Sequence, residues 1–291
     1  MGEFCALTAA MIWALAVILF KRSGETVAPF ALNLFRVGVS SLFFLLVLLL
    51  LRKPFLQPVP AQDYLLLAAS GGLGIALSDT LFHRSLNAIG AGITAIVDCL
   101  YAPFIVLFAM MILGERLSAW QIAGMGLVIG GVLLTTGHRP PSGATRSQLL
   151  AGIVWGILAM AALGLGIVIA KPVLERTPVL WASSVRAFSA LILMLPFALF
   201  SRERGRIFRT FRPVATWRFS LTGTLLGSCL SLLFWIAGMK YTQAGTAAIL
   251  NQTSTIYMLI FASLFLKEPF TQRKVLSAFL AIGGILLVIA G

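Results

Sequence analysis

The chain has 291 residues, of which 59% are hydrophobic and only 11% are charged, and its mean hydropathy is +1.00. A soluble protein of ordinary composition is roughly 45–50% apolar and about 25% charged, so these values exclude a two-domain soluble enzyme. The 22 Lys and Arg against 9 Asp and Glu give a net charge of +13, which in so apolar a chain indicates basic loops at a membrane surface rather than nucleic-acid binding.

Ten apolar runs of helical length follow one another along the chain, separated by Gly, Pro or charged residues. A span needs roughly 20 apolar residues, and a helix satisfies its own backbone hydrogen bonds in lipid, so each run predicts a transmembrane helix. We therefore expect an all-α membrane protein with ten transmembrane helices. The runs cover residues 4–21, 28–51, 64–84, 89–113, 119–137, 149–170, 178–200, 217–239, 244–266 and 272–290.

Landmarks of the first half recur in the second half at nearly constant offsets. Arg36 matches Arg186 at an offset of 150, and the segment 91–96 matches 244–249 at an offset of 153. Because five helices is an odd number, the second copy would cross the membrane in the opposite sense, which predicts two inverted-topology repeats around a midplane site. The expected units are a first repeat at 1–137, a linker at 138–148 and a second repeat at 149–291.

Several short motifs resemble those of a known transporter family. They are Trp13, Asn-Leu-Phe-Arg at 33–36, Ala-Pro-Phe at 102–104, Leu-Gly-Glu-Arg-Leu at 113–117 and Gly-Gly at 130–131. In these motifs the sequence resembles the drug/metabolite transporter (DMT) superfamily and, within it, the ten-helix EamA family of amino-acid and metabolite exporters, over nearly its whole length. The resemblance implies export of small metabolites, including amino acids and, in some members, drugs.

Asp98, near the middle of the fourth run, is the sharpest candidate for a substrate or proton site, because a charge within a membrane is costly and marks function by default. Its repeat partner is Asn251, so the two side chains would face one cavity, where Asp98 would take a substrate ammonium or a proton. The alternative is a structural Asp paired with an arginine.

Tyr101 shares the helix face of Asp98. Pro103 removes a backbone hydrogen bond just beyond it, which predicts either a gating kink or a packing feature.

A second polar cluster lies near the end of the third run. Asp79 and His83 are spaced i, i+4 on one helix face, so the carboxylate would hold a histidine proton in a proton relay; the alternative is an interfacial pair without a transport role. Ser78 adds small polar surface. Trp13 and Trp235 predict an aromatic wall for a substrate or, alternatively, anchors at the membrane interface.

Two arginines and two glutamates complete the set of charged candidates. Arg36 and Arg186 each lie about eight residues into their helices, and arginine keeps its charge, so each needs an acceptor or water nearby. They would bind a substrate carboxylate or, alternatively, fix the helix bundle. Glu115 and Glu268 precede the fifth and tenth runs and predict caps at the N-termini of those helices.

Pairs of glycines four residues apart predict close helix contacts, within one chain rather than in a homodimer. They are Gly126 and Gly130, and Gly223 and Gly227.

The expected protein is a gradient-driven exporter and not an enzyme, because the sequence contains no HExxH, GxSxG or GxxxxGK[ST] motif. Its expected partners are a small-molecule substrate, the lipid bilayer and a coupling proton. We expect no cofactor, metal or nucleic acid, and a monomer that crosses a bacterial inner membrane many times. The alternatives are a multidrug or other metabolite exporter of the same fold or, from a different class, a membrane-embedded lipid-modifying enzyme.

The orientation of the termini stays open. Basic residues are more frequent in the loops after the odd-numbered runs, which by the positive-inside rule would place both termini outside. The family resemblance implies termini inside.

Overall fold

The computed structural model describes residues 2–114, 118–135, 145–212, 217–241, 250–251, 253–269 and 271–290. Within these ranges the regular structure is entirely helical, which confirms the predicted all-α class. The α-helices are, in chain order, α1 (Gly2–Ser23), α2 (Pro29–Leu50), α3 (Ala61–Gly71), α4 (Ser78–Asp98), α5 (Tyr101–Phe108), α6 (Ala119–Thr135), α7 (Arg146–Arg176), α8 (Val179–Phe200), α9 (Arg204–Arg209), α10 (Trp217–Thr224), α11 (Leu232–Tyr241), α12 (Ser254–Leu266) and α13 (Gln272–Ala290).

In the described part of the chain, five helical stretches are long and apolar enough to cross a membrane: α1, α2, the continuous stretch Ala61–Asp98, α7 and α8. Shorter apolar helices cover Tyr101–Ile112, Ala119–Leu134 and Ser254–Leu266. Long apolar helices of this kind are consistent with a membrane protein, because a helix needs no backbone hydrogen bonds from lipid.

The boundary between the predicted third and fourth spans falls at a single glycine. Gly90 has a φ of 80°, so the helix is kinked there, although the residues on both sides are helical. This left-handed conformation favours glycine, which has no Cβ. The predicted runs 64–84 and 89–113 are therefore joined by almost no loop.

A second interruption lies between α4 and α5. The N–H groups of Cys99 and Leu100 donate to carbonyls three residues back, at 3.2 Å and 3.0 Å, rather than four residues back. Pro103 has no N–H to donate to the carbonyl of Cys99, so the helix tightens just before it. The interruption separates Asp98 from Tyr101.

Among the described residues, wide π-helical turns cover Gly72–Leu77, Ala109–Leu113 and Leu225–Ser231. Two of them, Gly72–Leu77 and Leu225–Ser231, begin 153 residues apart. Each leads into a helix whose first residues make the same contact. Ser78 Oγ donates to the backbone oxygen of Ala159 in α7 at 2.8 Å, and Ser231 Oγ donates to that of Ala9 in α1 at 3.0 Å.

The two halves of the sequence are interleaved in the packing. Helices α3, α4 and α5 pack on α7, which comes from the second half, and we call these four the α7 group. Helices α10, α11 and α12 pack on α1, which comes from the first half, and we call these four the α1 group. Helix α8 packs on α3, whereas α2 contacts α4, α8 and α10.

Helices α6 and α13 form a close pair through glycines. A Cβ on Gly124 would lie 2.5 Å from the backbone oxygen of Gly284, and a Cβ on Gly284 would lie equally close to that of Gly124. At Gly126 and Gly130, by contrast, an added Cβ would meet nothing within 4 Å. The contact predicted through Gly126 and Gly130 is thus made through Gly124 instead, because another face of α6 is turned to its partner.

We predict that Gly124→Ala lowers the melting temperature of the purified protein in detergent, whereas Gly126→Ala does not. Both changes add one methyl group to the interior of the same helix, but only the first meets a backbone oxygen. Overpacking of this kind costs about 1–3 kcal/mol. Equal melting temperatures for the two variants would show that α6 and α13 do not pack as described.

Candidate functional site

A cavity of about 270 Å³ lies between α1, α2, α4, α7, α8, α11 and the π-helical turns Gly72–Leu77 and Leu225–Ser231. Its walls are mostly apolar, but they hold four charged side chains. Of the residues that the sequence predicted for a substrate site, the cavity brings together Trp13, Arg36, Asp79, Asp98 and Arg186.

Arg36 and Asp79 form an ion pair across the boundary between α2 and α4. Arg36 is 6% exposed, and its guanidinium carbon lies 5.7 Å from the centre of the Phe20 ring. A buried arginine is tolerated when a carboxylate neutralises it. The pair therefore matches the structural alternative considered for Arg36, in which the arginine fixes the helix bundle.

The predicted relay between Asp79 and His83 is not formed. His83 is buried between the rings of Phe20 and Phe82, with ring centroids 5.2 Å and 5.9 Å away. Neither ring nitrogen has a hydrogen-bond partner in the described structure. The carboxylate of Asp79 binds Arg36 instead, because a permanent positive charge attracts it more strongly than an imidazole does.

Arg186 and Asp98 are the other two charged side chains of the cavity. In the described structure neither forms an ion pair or a side-chain hydrogen bond, and the buried Nε of Arg186 has no acceptor. A Cβ on Gly74 would lie 3.3 Å from Arg186 Nη2, so this glycine leaves space for the guanidinium. The cavity thus contains one positive and one negative group that are free to bind a ligand.

The remaining predicted residues do not line this cavity. Ser78 is buried and holds α4 against α7 through its hydrogen bond to a backbone oxygen. Pro103 is buried at the start of α5, and Tyr101 lies one turn from Asp98 without lining the cavity. Asn251 and Trp235 are half-buried elsewhere in the bundle.

Sequence reasoning missed several lining residues because they carry no charge. Ser40, Phe44 and Met160 are ordinary for a membrane helix, and only the packing places them here. Leu163 and Ser183 also line the cavity, and they lie 150 residues after Trp13 and Asn33, two residues of the family-like motifs. The sequence repeat could therefore have identified them.

One end of the bundle, which we call the Gly24 end, is closed by contacts between the two helix groups. Glu268 accepts hydrogen bonds from the N–H groups of Ala91 at 2.7 Å and Gly92 at 3.0 Å, and Lys274 Nζ lies 3.2 Å from the same carboxylate. Glu268 is therefore a cap, as predicted, but it caps the helical segment after Gly90 rather than the tenth predicted helix. Its predicted counterpart, Glu115, lies outside the described residues.

Helices α1 and α4 are also joined at the Gly24 end. Lys21 Nζ donates to the backbone oxygen of Asn87 at 2.9 Å, and Asn87 Nδ2 donates to that of Gly24 at 3.1 Å. A further contact lies within the α1 group, where Ser23 Oγ and Ser220 Oγ are 2.6 Å apart. The Gly24 end thus has polar contacts both between the groups and within one of them.

The opposite end, which we call the Leu50 end, has different contacts. Asp63 and Arg176 form an ion pair between α3 and α7, within one group. Trp181 Nε1 in α8 donates to the backbone oxygen of Phe55, in the segment before α3, at 2.7 Å. The described polar contacts at this end therefore do not join the α1 group to the α7 group.

Helices α2 and α8 pack on each other near the Gly24 end and line the cavity nearer the Leu50 end. Ala31 and Leu34 of α2 belong to one buried cluster with Ala190 and Met194 of α8. Phe44 and Ser183, which lie toward the Leu50 end of the same two helices, line the cavity. The cavity therefore extends toward the Leu50 end.

We predict that Asp79→Asn destabilises the protein and that Asp98→Asn, the same change on an unpaired carboxylate, does not. Removing one partner of a buried ion pair costs about 3–5 kcal/mol, since Arg36 would keep its charge. Thermal unfolding of both variants in one detergent measures the difference. A similar loss for both would contradict the assignment of Asp79 as the counter-ion of Arg36.

Comparison with known proteins agrees with a membrane transporter. The sequence profile of the EamA-like transporter family matches residues 1–137 and 150–290. An uncharacterized transporter of Archaeoglobus fulgidus is 26% identical over 284 residues, which cover 98% of this chain and 96% of the relative. A probable terminal-alkyne amino-acid exporter of Streptantibioticus cattleyicolor is 25% identical over 78% of this chain and 74% of its own length.

A solved crystal structure shares the fold. It superposes with a TM-score of 0.65 at 17% sequence identity and covers 98% of this chain and 95% of its own. The all-helical fold, the charged cavity within it and the profile that matches nearly the whole sequence agree with one another. The chain belongs to the EamA-like transporter family.

Proposed function

We propose that the protein is a secondary transporter that exports small metabolites, amino acids or similar amphiphilic compounds, by alternating access around the cavity. The observation that carries this proposal is the presence of Asp98 and Arg186, both without a protein partner, in one otherwise apolar cavity. Unpaired charges are costly inside a membrane, and they are retained where a substrate or an ion neutralises them. The relative named as a probable amino-acid exporter supports this substrate class.

Ten spans in two inverted repeats, 1–137 and 149–291, are part of the proposal. The family profile matches the chain in two stretches of nearly these bounds, 1–137 and 150–290. The π-helical turns Gly72–Leu77 and Leu225–Ser231 and the paired hydrogen bonds of Ser78 and Ser231 recur at the same offsets as the sequence landmarks. Such repeats are typical of secondary transporters, whose substrate sites lie between the repeats.

The bodies that move during transport are, in this proposal, the α1 group and the α7 group rather than the two halves of the sequence. Each half contributes its first helix to the other group, so the halves cannot move as separate units. Most described polar contacts between the groups lie at the Gly24 end, and one further contact, between Cys99 Sγ and Thr255 Oγ1 at 3.6 Å, is buried in the bundle. The cavity extends toward the Leu50 end. Opening the Gly24 end would expose the cavity to the other side of the membrane.

Within the cavity, Asp98 takes the substrate ammonium or a coupling proton, and Trp13 and Phe82 offer an aromatic wall whose rings lie 6.5 Å apart. The helix interruption before Pro103 places a flexible point beside Asp98, which supports a gating role for this proline. We place the transporter in the inner membrane of a bacterium, as a monomer without a cofactor, where an ion gradient supplies the energy.

The alternative of a lipid-modifying enzyme would need a cluster of carboxylates or histidines, and in the sequence only Asp79 and His83 come near to one. In the described structure Asp79 pairs with Arg36 and His83 has no hydrogen-bond partner, so these two residues do not act together.

We predict that the purified protein in proteoliposomes transports at least one compound of a panel of radiolabelled amino acids and cationic drugs. Asp98→Asn should lower that flux by roughly tenfold or more while the protein still folds, because a charged hydrogen bond to the substrate or proton is lost. Glu203→Gln, the equivalent change on an exposed carboxylate outside the cavity, should leave the flux unchanged.

Two results would count against this function. Flux at the level of empty liposomes across the whole panel would contradict transport, and undiminished flux in Asp98→Asn would remove Asp98 from the mechanism.

A further inference from the structure

One of the two arginines of the cavity has a counter-ion, and the other has none in the described structure. Arg36 forms an ion pair with Asp79. Arg186 corresponds to Arg36 at the offset of 150, and Leu232 corresponds to Asp79 at the offset of 153. All four side chains line the cavity. At the corresponding positions, the second half of the sequence therefore has an arginine, as the first half does, but a leucine in place of the carboxylate.

The structure supports this correspondence between Asp79 and Leu232 independently of the sequence. Each follows a serine at the end of a π-helical turn, Ser78 or Ser231. Both serines donate a hydrogen bond to a backbone oxygen of the long helix alongside, α7 in one case and α1 in the other. The two positions therefore follow the same local pattern, and one holds a carboxylate where the other holds a leucine.

A guanidinium without a counter-ion is a strong anion-binding group in such surroundings. Arginine stays protonated in proteins, so Arg186 cannot discharge as a lysine or histidine could. Its Nε is buried without an acceptor, and no described carboxylate forms an ion pair with it. The attraction for an anion is large in an apolar cavity, where water screens charge poorly.

We propose that Arg186 binds the carboxylate of the transported compound and that Leu232 leaves the guanidinium free to do so. This inference rests on the proposed transport function. Arg36 cannot serve in the same way, because Asp79 already occupies its guanidinium. A planar guanidinium binds a carboxylate through two parallel hydrogen bonds, which fixes the orientation of the ligand.

The charges of the cavity narrow the substrate class further. With Asp79 and Asp98 ionised, the two carboxylates and two guanidinium groups balance. A compound with one carboxylate and one ammonium leaves that balance unchanged, whereas a dianion such as a phosphate ester would add uncompensated charge. The cavity of about 270 Å³ also limits the ligand to a small molecule. A zwitterionic amino acid, with its carboxylate on Arg186 and its ammonium on Asp98, fits both conditions.

The test compares L-phenylalanine with L-phenylalaninamide, which keeps the ring and the ammonium but has no carboxylate. Ligand-induced thermal stabilisation is measured in detergent without added lipid, so that a lipid phosphate does not supply the anion, and flux is measured in proteoliposomes. The variants are Leu232→Asp, which adds a carboxylate to the cavity that Arg186 also lines, and Arg186→Gln. Leu232→Asn is the matched uncharged control for size and polarity.

We expect the acid to stabilise the wild-type protein more than the amide does. Leu232→Asp and Arg186→Gln should each weaken apparent binding of the acid by roughly 10- to 100-fold, and Leu232→Asn by much less. Leu232→Asp adds a carboxylate that competes with the ligand for the positive charge of Arg186. Arg186→Gln removes that charge, so the two variants test the same claim by different routes.

Equal stabilisation of the wild-type protein by the acid and the amide would overturn the inference, as would unchanged binding of the acid in both charged-site variants. The proposed function can fail separately. Binding of the acid that depends on Arg186 without any flux would support the anion site and contradict transport. Flux of the amide or of cationic drugs without any effect of the acid would support transport and contradict the anion site.

Discussion

The structure depends on the need to neutralise charges that a membrane interior does not solvate. A guanidinium keeps its charge at any physiological pH, and two arginines, Arg36 and Arg186, lie within apolar helices of this chain. Arg36 is neutralised by Asp79, and this pair joins α2 to α4 beside the cavity. Arg186, its counterpart at the offset of 150, lines the same cavity without a counter-ion in the described structure, as does Asp98. One arginine therefore stabilises the bundle, and the other is available for a ligand.

The interleaved packing determines which helix groups would have to separate to open the cavity to either side of the membrane. Because α1 packs with the later helices and α7 with the earlier ones, the bodies facing each other across the cavity are mixtures of both halves. The carboxylate of Glu268 joins them at the Gly24 end by capping the helical segment that begins at Ala91. This contact depends on Gly90, whose positive φ leaves the next two N–H groups free to bind a side chain from the other group. The four described hydrogen bonds that join the groups at this end are weak enough to exchange during a transport cycle.

The sequence predicted the features that depend on local chemistry, and it failed where the outcome depends on how helices are rotated against each other. Apolar runs and breakers located most helices to within a few residues, and the cost of charge in lipid selected Asp98 and both arginines. The partner of Asp79 was predicted to be His83 because the two share a helix face, but a guanidinium on a neighbouring helix binds the carboxylate instead. The same limit applies to α6, where the spacing of Gly126 and Gly130 matches that of a contact face. Only the rotation of the helix shows that Gly124 makes the contact. Glu268 was predicted to cap the tenth helix, and this was wrong: it caps a segment more than 170 residues earlier, which no local signal could identify.

Alternating access requires that the α1 and α7 groups separate at the Gly24 end, and a reversible cross-link tests this requirement most directly. With Cys5, Cys99 and Cys229 replaced by alanine, Gly24→Cys and Asn87→Cys would place two thiols between the groups, where the side chain of Asn87 already contacts Gly24. Ser23→Cys and Ser220→Cys would form a matched disulfide at the same end but within the α1 group. We expect oxidation to abolish flux in the first variant, a reductant to restore it, and the second variant to transport in both states. Undiminished flux through the oxidised Gly24→Cys/Asn87→Cys protein would contradict the proposed movement.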